Sequence, residues 1–111
     1  MSLFGLKKRE RISHPQEFRR VMKSGKRLRS RNLLLFVQEN GLGFHRLGVI
    51  VKKEVGPASY RNRIKRLFRE FFRLNKHEIK GSLDLIIFAQ KSCALDRYRD
   101  AEKELKGLLI K

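Results

Sequence analysis

The chain has 111 residues, of which 28 are Lys or Arg and 11 are Asp or Glu, giving a net charge of +17. That length suits one ordinary domain and excludes a second independent core, while a hydrophobic fraction of 41%, with eight Phe, suffices for one. Folding gains nothing from so large an excess of one sign, so the charge implies a polyanionic partner; no apolar run approaches the ~20 residues that span a bilayer, which favours nucleic acid over a membrane.

The charge is unevenly spread: residues 1–31 carry +9 and residues 61–76 carry +6, whereas 32–60 and 77–111 carry +1 each. Met1 to Leu6 is too short for a signal h-region and leads straight into Lys7-Lys8-Arg9. We read 1–111 as a single domain, with roughly residues 1–10 as a flexible basic N-terminal segment. A first helix is predicted from Ser13-His14-Pro15, with Pro15 in the opening turn and Ser13 or His14 as cap. Phe18, Val21 and Met22 recur at i, i+3, i+4 as its apolar face, and Gly25 ends it in a C′ position.

Asn32 to Gln38 reads as a strand, with Leu33, Leu35 and Val37 on one face and Leu34 and Phe36 on the other. A strand apolar on both sides leaves open which face meets the helices. Asn40-Gly41-Leu42-Gly43 supplies turn chemistry, so Arg46 to Lys52 reads as the returning strand of a hairpin, and Gly56-Pro57 breaks the pattern. Leu83 to Ala89 reads as a short buried strand. A last helix is predicted over Asp96 to Ile110, with Tyr98, Ala101, Leu105, Leu108 and Leu109 as its core face.

The segment Tyr60 to Arg73 carries the function. At about 100° per residue, Ile64, Leu67, Phe68, Phe71 and Phe72 form one core-facing stripe. Asn62, Arg66, Arg69 and Arg73 fall opposite; Lys65 flanks them on one side, and Arg63 lies on the other near Glu70. A merely solvated face would mix signs for i, i+4 pairing, yet only Glu70 balances six basic groups here. Five of the six are Arg, whose planar fork can bridge phosphate oxygens or stack on a base.

Leu47-Gly48-Val49-Ile50-Val51-Lys52-Lys53, Gly56, Ala58, Arg61-Asn62-Arg63-Ile64-Lys65-Arg66 and Arg69-Glu70 resemble the signature of the protein subunit of bacterial ribonuclease P. Arg11, Phe18, Val21 and Gly25 fit that family's first helix, and Asp84-Leu85-Ile86-Ile87 its last strand. The resemblance implies an α+β fold, a small sandwich in the order helix, antiparallel strands, basic crossover helix, parallel strand and C-terminal helix. The family's βαβ crossover is left-handed, against the usual rule.

It also implies a ribonucleoprotein of the bacterial cytoplasm in which the catalytic RNA subunit, holding Mg²⁺, hydrolyses precursor tRNA to remove the 5′ leader. The protein would bind no cofactor itself. By the same resemblance, Arg61, Asn62, Arg63, Lys65, Arg66, Arg69 and Arg73 match the basic-helix positions that meet RNA. Phe18, Met22, Phe36 and Lys53 match the leader cleft, and Arg9 and Arg11 are further RNA contacts. The implied partners are the RNA subunit and the precursor's leader, with no membrane and no obligate protein partner. The chain departs from the family where Glu54 replaces a usual cation, Met22 a common aromatic and Gln90 a common Arg.

No catalytic residue is expected in the protein. His14, His45 and His77 lack metal-ligand spacing and read as surface or capping residues. The lone Cys93 cannot form an internal disulfide, suits a reducing cytoplasm, and reads as a small semi-buried apolar residue. The acidic residues offer no carboxylate pair for two-metal cleavage. The alternative reading is a basic ribosomal-type RNA-binding protein without a leader cleft. A helix-turn-helix DNA reader fits less well, because a strand and Gly56-Pro57 precede the basic helix.

Overall fold

The computed structural model describes residues 7–110. Three helices and four strands follow one another as α1 (Pro15–Ser24), β1 (Lys26–Arg29), β2 (Leu33–Glu39), β3 (Arg46–Ile50), α2 (Ala58–Asn75), β4 (Leu83–Ala89) and α3 (Tyr98–Leu109). The strands form one sheet in the order β1-β2-β4-β3. No helix among the described residues is long and apolar enough to cross a membrane.

The expected hairpin does not form. The turn itself has its chemistry: Gly41 and Gly43 sit at φ 67° and 86°, and the Leu42 N–H donates to Asn40 Oδ1 at 2.8 Å. Yet β3 does not return beside β2, because β4 lies between them. β4 pairs antiparallel with β2 from Leu33↔Ala89 to Glu39↔Leu83, and parallel with β3 from Arg46↔Asp84 to Ile50↔Phe88. Its sequence accounts for the central place: Leu85, Ile86, Ile87 and Ala89 are all buried, so the strand is covered on both faces. Strand β1, whose residues read only as part of a charge run, pairs antiparallel with β2.

One face of the sheet carries the main core. Leu33 and Leu35 of β2, Leu47 of β3 and Leu85, Ile87 and Ala89 of β4 pack with Ile64, Phe68, Phe71 and Phe72 of α2 and with Ala101 and Leu105 of α3. The apolar stripe expected on the basic helix is therefore its buried back, with Leu67 only partly covered. The opposite face carries a smaller core of Val21, Phe36, Ile86 and Ile12, with Phe18, Met22, Leu34, Ile50 and Phe88 partly buried around it.

The ends of α1 differ from expectation in detail. His14 is the N-cap, but no side chain caps the helix; Pro15 opens it. Gly25 does end it, though with an extended φ of −76° and not a left-handed one. Glycine is required there by crowding, since a Cβ would lie 2.5 Å from Val21 O and 2.9 Å from Val37 O. Of the N-terminal segment read as flexible, residues 1–6 lie outside the described residues. Lys8–Glu10 form a 3-10 turn, and the buried Glu10 accepts from Lys76 Nζ at 2.6 Å and from the Lys7 N–H at 3.1 Å. The chain then runs beside β3, where the Ile12 N–H donates to Leu47 O at 2.9 Å.

An ion network clamps α1 to the sheet. Asp84 on β4 is 1% exposed and accepts from Arg46 Nε at 2.8 Å, Arg46 Nη2 at 2.7 Å and Asn40 Nδ2 at 2.9 Å. Arg46 also donates to Glu17 of α1 at 2.7 Å, and Arg20 of α1 stands 3.5 Å from Asp84. Burial alone would raise the Asp84 carboxyl. The hydrogen bonds from Arg46 and Asn40, with the charges of Arg46 and Arg20, outweigh it and hold the group below the usual carboxylate range. The folded state thus binds this proton more weakly than the unfolded chain does. The stabilisation is complete above about pH 4 and is lost as pH falls through the folded value. Asp84→Asn should cost about 3 kcal/mol by leaving Arg46 without its main partner. In urea unfolding, the wild type should lose stability below about pH 4 more steeply than the variant; parallel acid profiles would contradict the network's role.

Candidate nucleic-acid interface

The front of α2 holds the seven polar positions singled out in the sequence, and the structure divides them. Asn62 and Arg66 are exposed, while Lys65 and Arg69 are half-buried beside them. Arg61 turns back to donate to Gly56 O at 3.0 Å. Arg63 donates to Asp96 O at 2.7 Å and pairs with its carboxylate at 3.1 Å, which fastens the front of α2 to the segment before α3. Arg73 folds onto Glu70 within the helix, and its buried Nε has no partner among the described residues. Asn62, Lys65, Arg66 and Arg69 form the outward cluster.

Arg69 has unusual company. With Arg11, Ile12, Phe18, Leu47, Gly48 and Val49 it lines a cavity of about 110 Å³ at the outer edge of β3. Burial, and then repulsion from Arg11, push the Arg69 guanidinium below its ordinary value. Among the described residues neither arginine has an ion pair with a carboxylate. Two convergent guanidinium groups without a counter-charge suit a phosphate. Arg9 is not part of this group: its guanidinium lies 4.9 Å from the Phe44 ring, beside a separate cavity lined also by Lys7, Lys76 and His77.

The sheet face under α1 forms a cleft. Strand register places its side chains in rows that cross the sheet: Arg27, Phe36, Ile86 and Gly48 in one, Arg29, Leu34, Phe88 and Ile50 in the next. The first row lies beneath α1. Phe36 is 6% exposed, so it supports the floor and presents little ring to a ligand. Phe18 lies directly on Gly48, where a Cβ would meet its Cε1 at 2.6 Å and its Cζ at 2.8 Å. Gly48 therefore sets the depth at which the Phe18 ring rests. Met22 is half-buried next to it on α1.

The second row is open. Leu34, Phe88 and Ile50 are only partly buried, and Lys52 Nζ stands 5.5 Å from the centre of the Phe88 ring. Lys53 is exposed on the 3-10 turn that follows β3. Sequence reading missed Phe88, Ile50 and Gly48 as cleft residues. Alternation along β4 does put Phe88 on the face of Ile86, but only the pairing with β2 and β3 reveals its neighbours. His45, read as a surface or capping residue, is buried: its Nδ1 accepts the Leu83 N–H at 3.0 Å and its Nε2 lies 2.8 Å from Ile79 O. By bridging Leu83 and Ile79, His45 pins the start of β4. Cys93, read as a small semi-buried apolar residue, is buried in the main core.

The chain matches the family model described as Ribonuclease P over residues 6–111. It is 44% identical to the ribonuclease P protein component of Syntrophus aciditrophicus over 111 residues, covering 100% of this chain and 93% of that protein. Among solved structures, it is similar to the RNase P protein of Thermotoga maritima, at 31% identity and a TM-score of 0.81, with 90% and 94% of the two chains covered. A Staphylococcus aureus RNase P protein mutant with defective mRNA degradation activity superposes with a TM-score of 0.82 at 30% identity, covering 91% and 86%.

The contact between Phe18 and Gly48 can be tested without any ligand. Gly48→Ala should destabilise by about 1–3 kcal/mol through overpacking. Adding Phe18→Leu to it should recover part of that loss, so a double-mutant cycle in urea should show coupling. Additive effects would mean that the ring does not rest on Gly48.

Proposed function

The chain belongs to the bacterial ribonuclease P protein family, and we propose that it acts as the RNA-binding subunit of that cytoplasmic ribonucleoprotein, holding the precursor tRNA's 5′ leader while the RNA subunit cuts. In this reading the outward cluster of α2, Asn62, Lys65, Arg66 and Arg69, meets the RNA subunit. The cleft beneath and beside α1 takes the leader, with Phe18 and Met22 as its wall, Lys52 and Lys53 at its rim and Phe36 as support. Catalysis belongs to the RNA subunit and to Mg²⁺ held there, and the protein contributes position and charge.

The observation that carries the proposal is the junction at the β3 edge. There the half-buried Arg69 of α2 and Arg11 converge beside Phe18, so the cationic helix and the aromatic cleft meet at one place. A strand held by the two guanidinium groups would pass directly onto the Phe18 ring. Base–aromatic stacking contributes about 1–3 kcal/mol per base and tolerates any sequence, which suits a leader of variable sequence. A basic ribosomal-type protein would need the charge but not the cleft.

Reconstitution tests this directly. The purified chain should not cleave precursor tRNA alone, and should restore cleavage by a bacterial ribonuclease P RNA at low Mg²⁺. Phe18→Ala should weaken holoenzyme binding of precursor while leaving mature tRNA nearly unaffected; equal loss for both would remove the leader from the cleft. Arg66→Ala with Arg69→Ala should lower affinity for the RNA subunit and flatten its log–log salt dependence by roughly one to two units. Lys103→Ala with Lys106→Ala on α3 should change that slope far less, and an equal change would mean that the charge acts as a diffuse cloud.

A further inference from the structure

The basic helix accounts for one of the two charged segments; the other, residues 1–31, carries +9. From Phe18 to Gln38 the chain has seven Lys and Arg and no Asp or Glu. Among the described residues, Arg20 is the one of these seven that pairs with a carboxylate, that of Asp84 at 3.5 Å. Four of the rest, Lys26, Arg27, Arg29 and Arg31, lie in or just after β1 and are exposed.

Strand β1 is the edge opposite β3. Its Leu28 packs into the α2-side core, so Arg27 and Arg29 alternate onto the face that bears the cleft. Their register decides what they adjoin. Arg29 pairs with Leu34, Leu34 with Phe88 and Phe88 with Ile50, which makes a single row across all four strands. At ~4.8 Å between strands that row is about 14 Å long. At its β3 end lie Ile50 and Lys52, with the Arg11–Arg69 pair one row away beside Gly48; its middle is an open apolar floor with the Phe88 ring; its β1 end is Arg29, with Arg27 in the row beside it. Gln90, just past β4, accepts from Arg29 Nη2 at 3.2 Å and is itself tied to Ser30 O at 2.8 Å and Leu33 O at 3.1 Å, which steadies the guanidinium at the β1 edge.

We propose that β1 is a second cationic bank, on which Arg27 and Arg29 bind phosphates of single-stranded RNA that has crossed the open row from the β3 edge. The occupant is the upstream part of the 5′ leader, so the inference rests on the leader reading above and extends it past the α1 cleft. Charge on an edge strand can also serve only to block pairing with another sheet. That role requires no alignment with an aromatic floor, whereas the register supplies one. Arginine forks would grip the phosphates, and Phe88 would take one base by stacking, with no demand on sequence.

The test uses the holoenzyme reconstituted from the full chain and a bacterial ribonuclease P RNA, with precursor tRNAs whose leaders range from short to long. Wild-type affinity should rise with leader length until the β1 edge is reached. Arg27→Thr with Arg29→Thr, which keeps strand propensity, should abolish only the gain from the upstream nucleotides. For the long leader it should also flatten the salt slope by about 1.4, at ~0.7 per single-strand phosphate contact. Binding of short-leader precursor and of mature tRNA should stay at the wild-type level. Arg27→Lys with Arg29→Lys keeps the charge and should retain the slope, which guards against a Thr variant that fails to fold. Loss of affinity at every leader length, or at none, would overturn the proposal. A wild-type holoenzyme that binds precursor no better than mature tRNA would overturn the leader reading itself, and this proposal with it.

Discussion

The buried carboxylate of Asp84 constrains everything on the cleft side of the molecule. It sits near the start of the central strand, 1% exposed, on the face that α1 must cover. A charge so placed is tolerated only when fully paired. Arg46 from β3, Asn40 from the turn after β2 and Arg20 from α1 supply the partners, and Glu17 binds the far side of Arg46. The network therefore joins two strands and the turn after β2 to one helix and fixes where that helix lies. Val21 can then cover Phe36 and Ile86, and Phe18 can settle on Gly48. The second row of the sheet is left uncovered because α1 is held over the first.

Parts of this were legible in the sequence because their signal is local. The stripe Ile64, Phe68, Phe71, Phe72 identifies the buried back of α2, and Leu83 to Ala89 reads as a buried strand with the bounds that the structure gives it. The hairpin was misread for a physical reason. Asn40 to Gly43 has turn chemistry, but a turn specifies a reversal and not the partner. β4, over forty residues further on, offers an apolar strand that both β2 and β3 bury better than they bury each other. Strand β1 was missed because its single apolar residue, Leu28, lies in a run of cations. His45 looked like a surface residue because nothing local reveals that Leu83 N–H and Ile79 O will flank its ring.

The candidate site divides along the same line. The cationic front of α2 follows from helical periodicity alone, yet only side-chain geometry shows that Arg63 is committed to Asp96 and Arg73 to Glu70. Phe18 and Phe36 resemble each other as sequence positions, but one ring rests half-buried against a glycine and the other lies beneath a helix. Like charges left together, as Arg11 and Arg69 are, carry an electrostatic cost in the free protein that an anion would relieve. The basic helix and the cleft thus share one corner of the molecule while facing different ways, which allows two RNA segments to be held at once.

That division of labour is measured most directly by site-specific photo-cross-linking in the reconstituted holoenzyme bound to precursor tRNA. A thiol-reactive probe can be placed at Asn62→Cys on the front of α2 or at Met22→Cys on the wall of the cleft, while Cys93, being buried, stays out of reach. The expected result is that the probe at position 62 labels the RNA subunit and the probe at position 22 labels the 5′ leader. Labelling of the same RNA segment from both positions, or of the leader from position 62, would contradict it.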